Sequence, residues 1–137
     1  MFEPDPIRVH IVQQWVLKAE HDLTTAAHTL KLGADGPTDT VCFHAQQCVE
    51  KYLKELLAWQ DVEAPKTHNI KTLLALLLSR VHFELTVAEQ ERLTEYATVS
   101  RYPGDYEPIT LTEARRAVTL ARRVRRQVRP WLPKQAL

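Results

Sequence analysis

His44, Gln47, Lys51 and Lys54 recur at steps of three and four residues, a spacing that stacks them in one row if the segment is helical. One imidazole, one amide and two ammonium groups in a row can hold a phosphate and the edge of a base. A solvated helix face with an ordinary Glu50 to Lys54 ion pair across one turn accounts for the same pattern. A second set is Arg101-Tyr102-Pro103, with Tyr106 beyond it. Arginine beside aromatics in a proline-stiffened loop can bind a phosphate and stack a base. Equally, the arginine can cap the last carbonyls of a preceding helix while the tyrosines cover apolar surface.

Other chemistries find little support. The chain has six histidines, but none stands with another histidine or a cysteine at a reliable metal-ligand spacing. His21 and His28 share a helix face without a carboxylate-rich partner motif, and Cys42 and His44, two apart, point to different faces. There is no glycine-rich phosphate loop, nucleophile elbow or dinucleotide fingerprint. Neither a metal nor a cofactor is expected, and no complete catalytic motif can be read.

The elements that must position these residues are helical. The 137 residues contain only three glycines, and alanine, leucine, glutamate, glutamine, lysine and arginine dominate, the residues that lose least on entering a helix. This length suits one domain over 1–137, with a core over about 7–131, buried without disulfides or metals as staples. Ile11, Val12, Trp15, Val16, Ala19, Leu23, Ala26, Ala27 and Leu30 form one apolar stripe at helical period, which predicts a first helix from Ile7 to about Leu32. Gly33 to Pro37 stops it, and Thr38 or Asp39 can cap the next. The second helix is expected from about Asp39 to Trp59, with Val41, Ala45, Cys48, Val49, Tyr52, Leu53, Leu56 and Leu57 inward. Thr67 or Asn69 starts a third around Ile70, Leu73, Leu74 and Leu77. Capping boxes, Thr86 with Glu89 and Thr110 with Glu113, mark the fourth and fifth. The fifth buries Leu111, Ala114, Val118, Ala121, Val124 and Val128. Between the last two helices, Ser100 to Pro108 reads as an extended crossing because of its two prolines and glycine. Long helices joined by short connections pack antiparallel, so the expected fold is all-α, an up-and-down bundle of four to five helices.

Charge and cysteine usage add context. The formal charge is +1, yet residues 110–137 hold seven arginines and Lys134 against Glu113 alone. Such segregation suggests a surface that meets phosphate or an acidic partner, or arginines that are solvated or paired with acidic helices next to them. Cys42 and Cys48 lie about 120° apart on one helix and cannot pair without unwinding it. Two buried thiols fit a reducing compartment. Met1 to Pro6 carries no basic region leading into an apolar run, and the purely apolar run Leu73 to Leu78 is far short of a membrane span. The expectation is a cytoplasmic protein without membrane association.

Taken as an ordered set, Trp15-x-x-Lys18-Ala19-x-x-Asp22-Leu23, Phe43-His44-Ala45-Gln46-Gln47-x-x-Glu50-Lys51-x-x-Lys54, Thr67-His68-Asn69-Ile70-x-x-Leu73 and Ser100-Arg101-Tyr102-Pro103 resemble the HEPN family. The name denotes higher eukaryotes and prokaryotes nucleotide-binding. The resemblance spans about residues 10 to 130 and implies a four- or five-helix bundle, commonly a homodimer. It also implies a small protein often encoded beside a minimal nucleotidyltransferase, which would be its partner. Many members are metal-independent RNases of toxin–antitoxin systems, using an arginine followed after four to six residues by a histidine. This chain departs from that motif: no histidine follows an arginine at that spacing, and Tyr106 stands where the shortest version would place it. An unperturbed tyrosine stays protonated far above neutral pH, so the usual acid–base role has no obvious holder. The leading expectation is a non-catalytic or weakly active module that binds a nucleotide, RNA or a nucleotidyltransferase. His44, Gln47, Lys51, Lys54, His68, Arg101, Tyr102 and Tyr106 are its candidate contacts. The alternatives are an RNase with a rearranged site drawing on His44 or His68 beside Arg101, and a purely structural interaction module.

Overall fold

A computed structural model describes residues 4–77, 81–99 and 107–137. Among the described residues there are five α-helices, α1 (Pro6–Leu30), α2 (Thr38–Trp59), α3 (Ile70–Ala75), α4 (Val87–Val99) and α5 (Leu111–Val128), with short 3-10 turns at Gly33–Asp35, Arg129–Trp131 and Lys134–Ala136. The fold is an all-α bundle, as composition and periodicity predict. Among the described residues no helix is long and apolar enough to cross a membrane.

Side-chain contacts fix the directions. Near the start of α1, Arg8 donates to the Trp59 carbonyl at the end of α2 (2.9 Å), and its guanidinium lies 4.7 Å from the Trp59 ring centroid. Further along, Asp22 meets His44 and Lys51, so α1 and α2 are antiparallel. Thr38 donates to the Ile109 carbonyl just ahead of α5 (2.7 Å), and Arg129 reaches the Tyr52 hydroxyl (3.2 Å), so α2 and α5 run the same way. Tyr96 meets Glu113 and Arg123 meets Glu89, which makes α4 antiparallel to α5. The four long helices therefore alternate in direction. The most central is α2, packed against α1, α5, α4 and α3, and its inward residues from Val41 to Leu57 are fully buried as expected.

The termini follow local chemistry. Asn69 caps α3 by accepting from the Thr72 N–H (3.1 Å). Thr86 and Glu89 form the reciprocal capping box, with bonds of 3.1 and 2.9 Å. Thr110 makes only half of its box: it accepts from the Glu113 N–H, while the Glu113 carboxylate turns instead to Tyr96 (2.7 Å) and Arg92 (3.1 Å). A phenol and a guanidinium together offer that carboxylate more than one exposed N–H does. Neither Thr38 nor Asp39 is the cap of α2. The N-cap residue is Pro37, Thr38 is spent on Ile109, and Asp39 accepts from the adjacent Thr40 N–H. Gly33 takes φ +76°, open to glycine without a Cβ clash, and turns the chain between α1 and α2.

One part of the predicted core is corrected. Ile11 and Trp15 are 50% and 44% exposed, while Val12, Val16, Ala19 and Ala26 are buried. Ile7, Ile11 and Trp15 recur every four residues and form a ridge about 100° from the buried seam. The apolar stripe of α1 is wider than the surface its neighbours cover.

Candidate functional site

The candidate face is built on α2 and two segments beside it. His44, Lys51 and Asp22 meet where α1 crosses α2: His44 donates through Nδ1 to Asp22 Oδ1 (2.8 Å), and the Lys51 ammonium donates to the other oxygen, Oδ2. Glu50, next to Lys51 in sequence, gathers the remainder. His68, just ahead of α3, donates through Nδ1 to Glu50 Oε1 (2.6 Å), the Lys54 ammonium lies 3.8 Å from the same oxygen, and Gln47 Nε2 is 3.5 Å from Oε2. Gln47 also donates to Gln46 Oε1 (2.7 Å).

The acids lie beneath and the bases above. The side chains of Asp22 and Glu50 are 11% and 6% exposed, whereas those of His44, Lys51, Lys54 and His68 remain partly open to solvent. A carboxylate can only accept, so each histidine presents Nδ1–H to its acid and leaves Nε2 on the opposite edge of the ring. Two imidazoles are thus oriented by buried carboxylates, the arrangement that fixes ring pose at metal and acid–base sites. Two ammonium groups accompany them. The row behaves neither as a freely solvated face nor as one isolated ion pair.

Sequence reasoning named His44, Gln47, Lys51, Lys54 and His68, and the structure brings all five together. Arg101, Tyr102 and Tyr106 lie outside the described residues. Asp22 and Glu50, which organise the face, were not named as site residues, nor was Gln46. A signal for Asp22 existed: it falls among Ala19, Leu23 and Ala26 on the apolar side of α1, where an acid must find partners. Glu50 and Gln46, one turn apart, likewise border the buried side of α2. Gln46 is 0% exposed and its Nε2 has no hydrogen-bond partner.

Groups elsewhere are tuned chiefly by burial. Burial, and next Glu113, pushes the Cys42 thiol up to about 12, and burial pushes Cys48 up further. Both cysteines are free. Burial also raises the Tyr52 hydroxyl to about 12 and the Glu55 carboxyl to about 7. Among the described residues no group of three or more His, Cys, Asp or Glu side chains could hold a metal ion. The basic C-terminal region divides its arginines: Arg125 of α5 and Arg129 of the turn after it bind Glu20 of α1 (2.7 and 2.9 Å), and Arg123 binds Glu89 and the Glu84 carbonyl.

The chain is thus a small helical domain of alternating helices, whose second helix carries a histidine–lysine face over buried acids. A model of the HEPN domain matches residues 12–131, and the chain belongs to that family. It is similar to the crystal structure of TT1696 from Thermus thermophilus, with 30% identity and a TM-score of 0.74 over 88% of this chain and 98% of that one. It is also similar to ST0689, an archaeal HEPN homologue, at 28% identity with a TM-score of 0.63, covering 87% of this chain and 95% of the other. No curated protein matches the chain.

Proposed function

We propose that this chain works as one helical module, with its core over about residues 7–131, that binds a nucleotide or RNA through the α2 face. The observation that carries the reading is the pairing of His44 and Lys51 on Asp22 with His68 and Lys54 on Glu50. The buried acids hold four nitrogen-bearing side chains in place, so the entropy of ordering them is spent before a ligand arrives. Charge-assisted bonds from such groups suit phosphate oxygens, and the Gln47 amide suits a base edge. Arg101, Tyr102 and Tyr106 are assigned to the same ligand from their residue types and the family resemblance.

Calorimetry with AMP, ATP and a short RNA at low salt tests this reading. Lys51→Gln and His44→Ala are expected to weaken binding at least tenfold, and absence of any binding by the unaltered protein would remove the proposal. We further assign the chain a minimal nucleotidyltransferase partner, in a toxin–antitoxin-like pair within the cytoplasm. Co-purification with the protein encoded beside it tests that role. The exposed Ile7, Ile11 and Trp15 ridge supports homodimerisation. Light scattering is expected to give a dimer for the unaltered chain and a monomer for Trp15→Lys.

A second reading, metal-independent RNA cleavage, is favoured by the two carboxylate–histidine pairs, since an imidazole so oriented can move a proton at Nε2. RNA degradation that persists in chelator and disappears in both His44→Ala and His68→Ala supports it. Degradation unchanged in both variants eliminates it.

A further inference from the structure

The seven arginines of the C-terminal region divide into an engaged set and an outward set. Arg123, Arg125 and Arg129 are held by Glu89 and Glu20. Arg115, Arg116, Arg122 and Arg126 are exposed and have no acidic partner among the described residues. Of these, Arg115, Arg122 and Arg126 fall within about 40° on the helical wheel and extend over about 16 Å of α5. No acid occurs from Ala114 to the end of the chain, so nothing within that stretch neutralises the row.

The row ends at a cavity of about 500 Å³, whose lining includes Arg126 and Lys134 together with Pro130 and Leu132. Arg125 and Arg129, already held by Glu20, complete the cationic side of the lining, and apolar side chains beside the two outward cations match an unstacked base next to a phosphate. None of this surface's residues belongs to the α2 site: Tyr52, which meets Arg129 just beyond α5, lies about 80° to 160° around α2 from His44, Gln47, Lys51 and Lys54.

We propose that the outer face of α5, from Arg115 through Arg126 to Lys134, docks the phosphate backbone of a single-stranded nucleic acid, with one unstacked base in the cavity at its end. Guanidinium groups pair with phosphate oxygens bidentately. Their repeated single sign at helical spacing complements a phosphodiester chain. A single strand is selected over a duplex because a cavity can take only a base that is free of its stack. The surface is separate from the α2 face and does not depend on the role assigned there.

The test is fluorescence anisotropy with a labelled oligouridylate of about 12 nucleotides, between about 50 and 200 mM salt. The full chain is compared with R115Q/R122Q/R126Q, whose exposed substitutions are expected to leave the helical circular dichroism unchanged. For single strands the logarithm of affinity falls with that of salt by about 0.7 for each phosphate neutralised, so three arginines carry a slope of about 2. That slope is roughly a 20-fold share of the affinity lost across this salt range. The triple variant is expected to lose this share. An unchanged salt slope overturns the proposal, as does failure of the wild-type protein to bind the strand at the lowest salt. Equal affinity for a duplex of the same charge overturns the single-strand assignment. Stronger competition by polyglutamate than by unlabelled oligouridylate gives the surface to an acidic protein instead. Loss of AMP binding in Lys51→Gln bears only on the α2 face, so failures of the two readings are distinguishable.

Discussion

Glu55→Gln is expected to stabilise the protein at about pH 8 and to do little at about pH 5. Glu55 sits inside α2 at 5% exposure, and its Oε1 has no hydrogen-bond partner. Burial disfavours the charged form and raises its pKa from 4.5 to about 7. Between those values the native chain keeps a proton that the unfolded chain has released, so stability falls as pH rises from about 4.5 to about 7 and then levels off. At about 1.36 kcal/mol for each tenfold change in ionisation constant, the full displacement costs on the order of 3 kcal/mol above pH 7. At about pH 5 less than about 1 kcal/mol of it has been incurred. Glutamine keeps the shape and never ionises. With an unfolding entropy of about 2.1 cal/mol/K per residue, the 137-residue chain converts 3 kcal/mol into roughly 10 °C of Tm. Thermal melts of both proteins at the two pH values give the measurement. A gain of equal size at both, or none at about pH 8, refutes the role of burial at this carboxyl.

Two further perturbations probe the frame around the site. Asp22→Asn replaces one of the two oxygens that separately accept from His44 and Lys51 by an amide donor and removes the charge, and is expected to cost about 1.5–3 kcal/mol, the range for hydrogen bonds to charged groups. A double-mutant cycle with Lys51→Met should return a coupling near 1 kcal/mol, and strictly additive single changes would count against the pairing. Cys42 and Cys48, whose thiols burial holds above their ordinary range, are expected to resist a thiol reagent in the native protein and to react fully in denaturant. Rapid labelling of either native thiol contradicts their placement in the core.

Much of the fold was legible because each long helix carries its own apolar period and its own stop signals. The predicted inward residues of α2, from Val41 to Leu57, are all buried, and the boundary at Asn69 and the capping box at Thr86 satisfy their backbone donors locally, the box persisting although Arg123 also reaches Glu89. Prediction failed where a distant partner outcompeted the local one. Thr38 left its cap for Ile109, and Glu113 left its box for Tyr96 and Arg92. The exposure of Ile11 and Trp15 could not be read either, since periodicity reports how wide an apolar stripe is and not how much of it a neighbour covers.

The same division holds at the site. Residue type and spacing within one segment suffice for the helical class, the family resemblance and the alignment of His44, Gln47, Lys51 and Lys54, because none of these needs a second helix. Packing between segments was required to show that Asp22, 22 residues before His44, and His68, 18 residues beyond Glu50, join that row. Packing also settles that Glu20 claims Arg125 and Arg129 while Arg115, Arg122 and Arg126 stay outward. The reason is physical: a buried carboxylate recruits whichever donors the packing of other helices brings within hydrogen-bonding reach, and that choice is made between segments, where no local spacing records it.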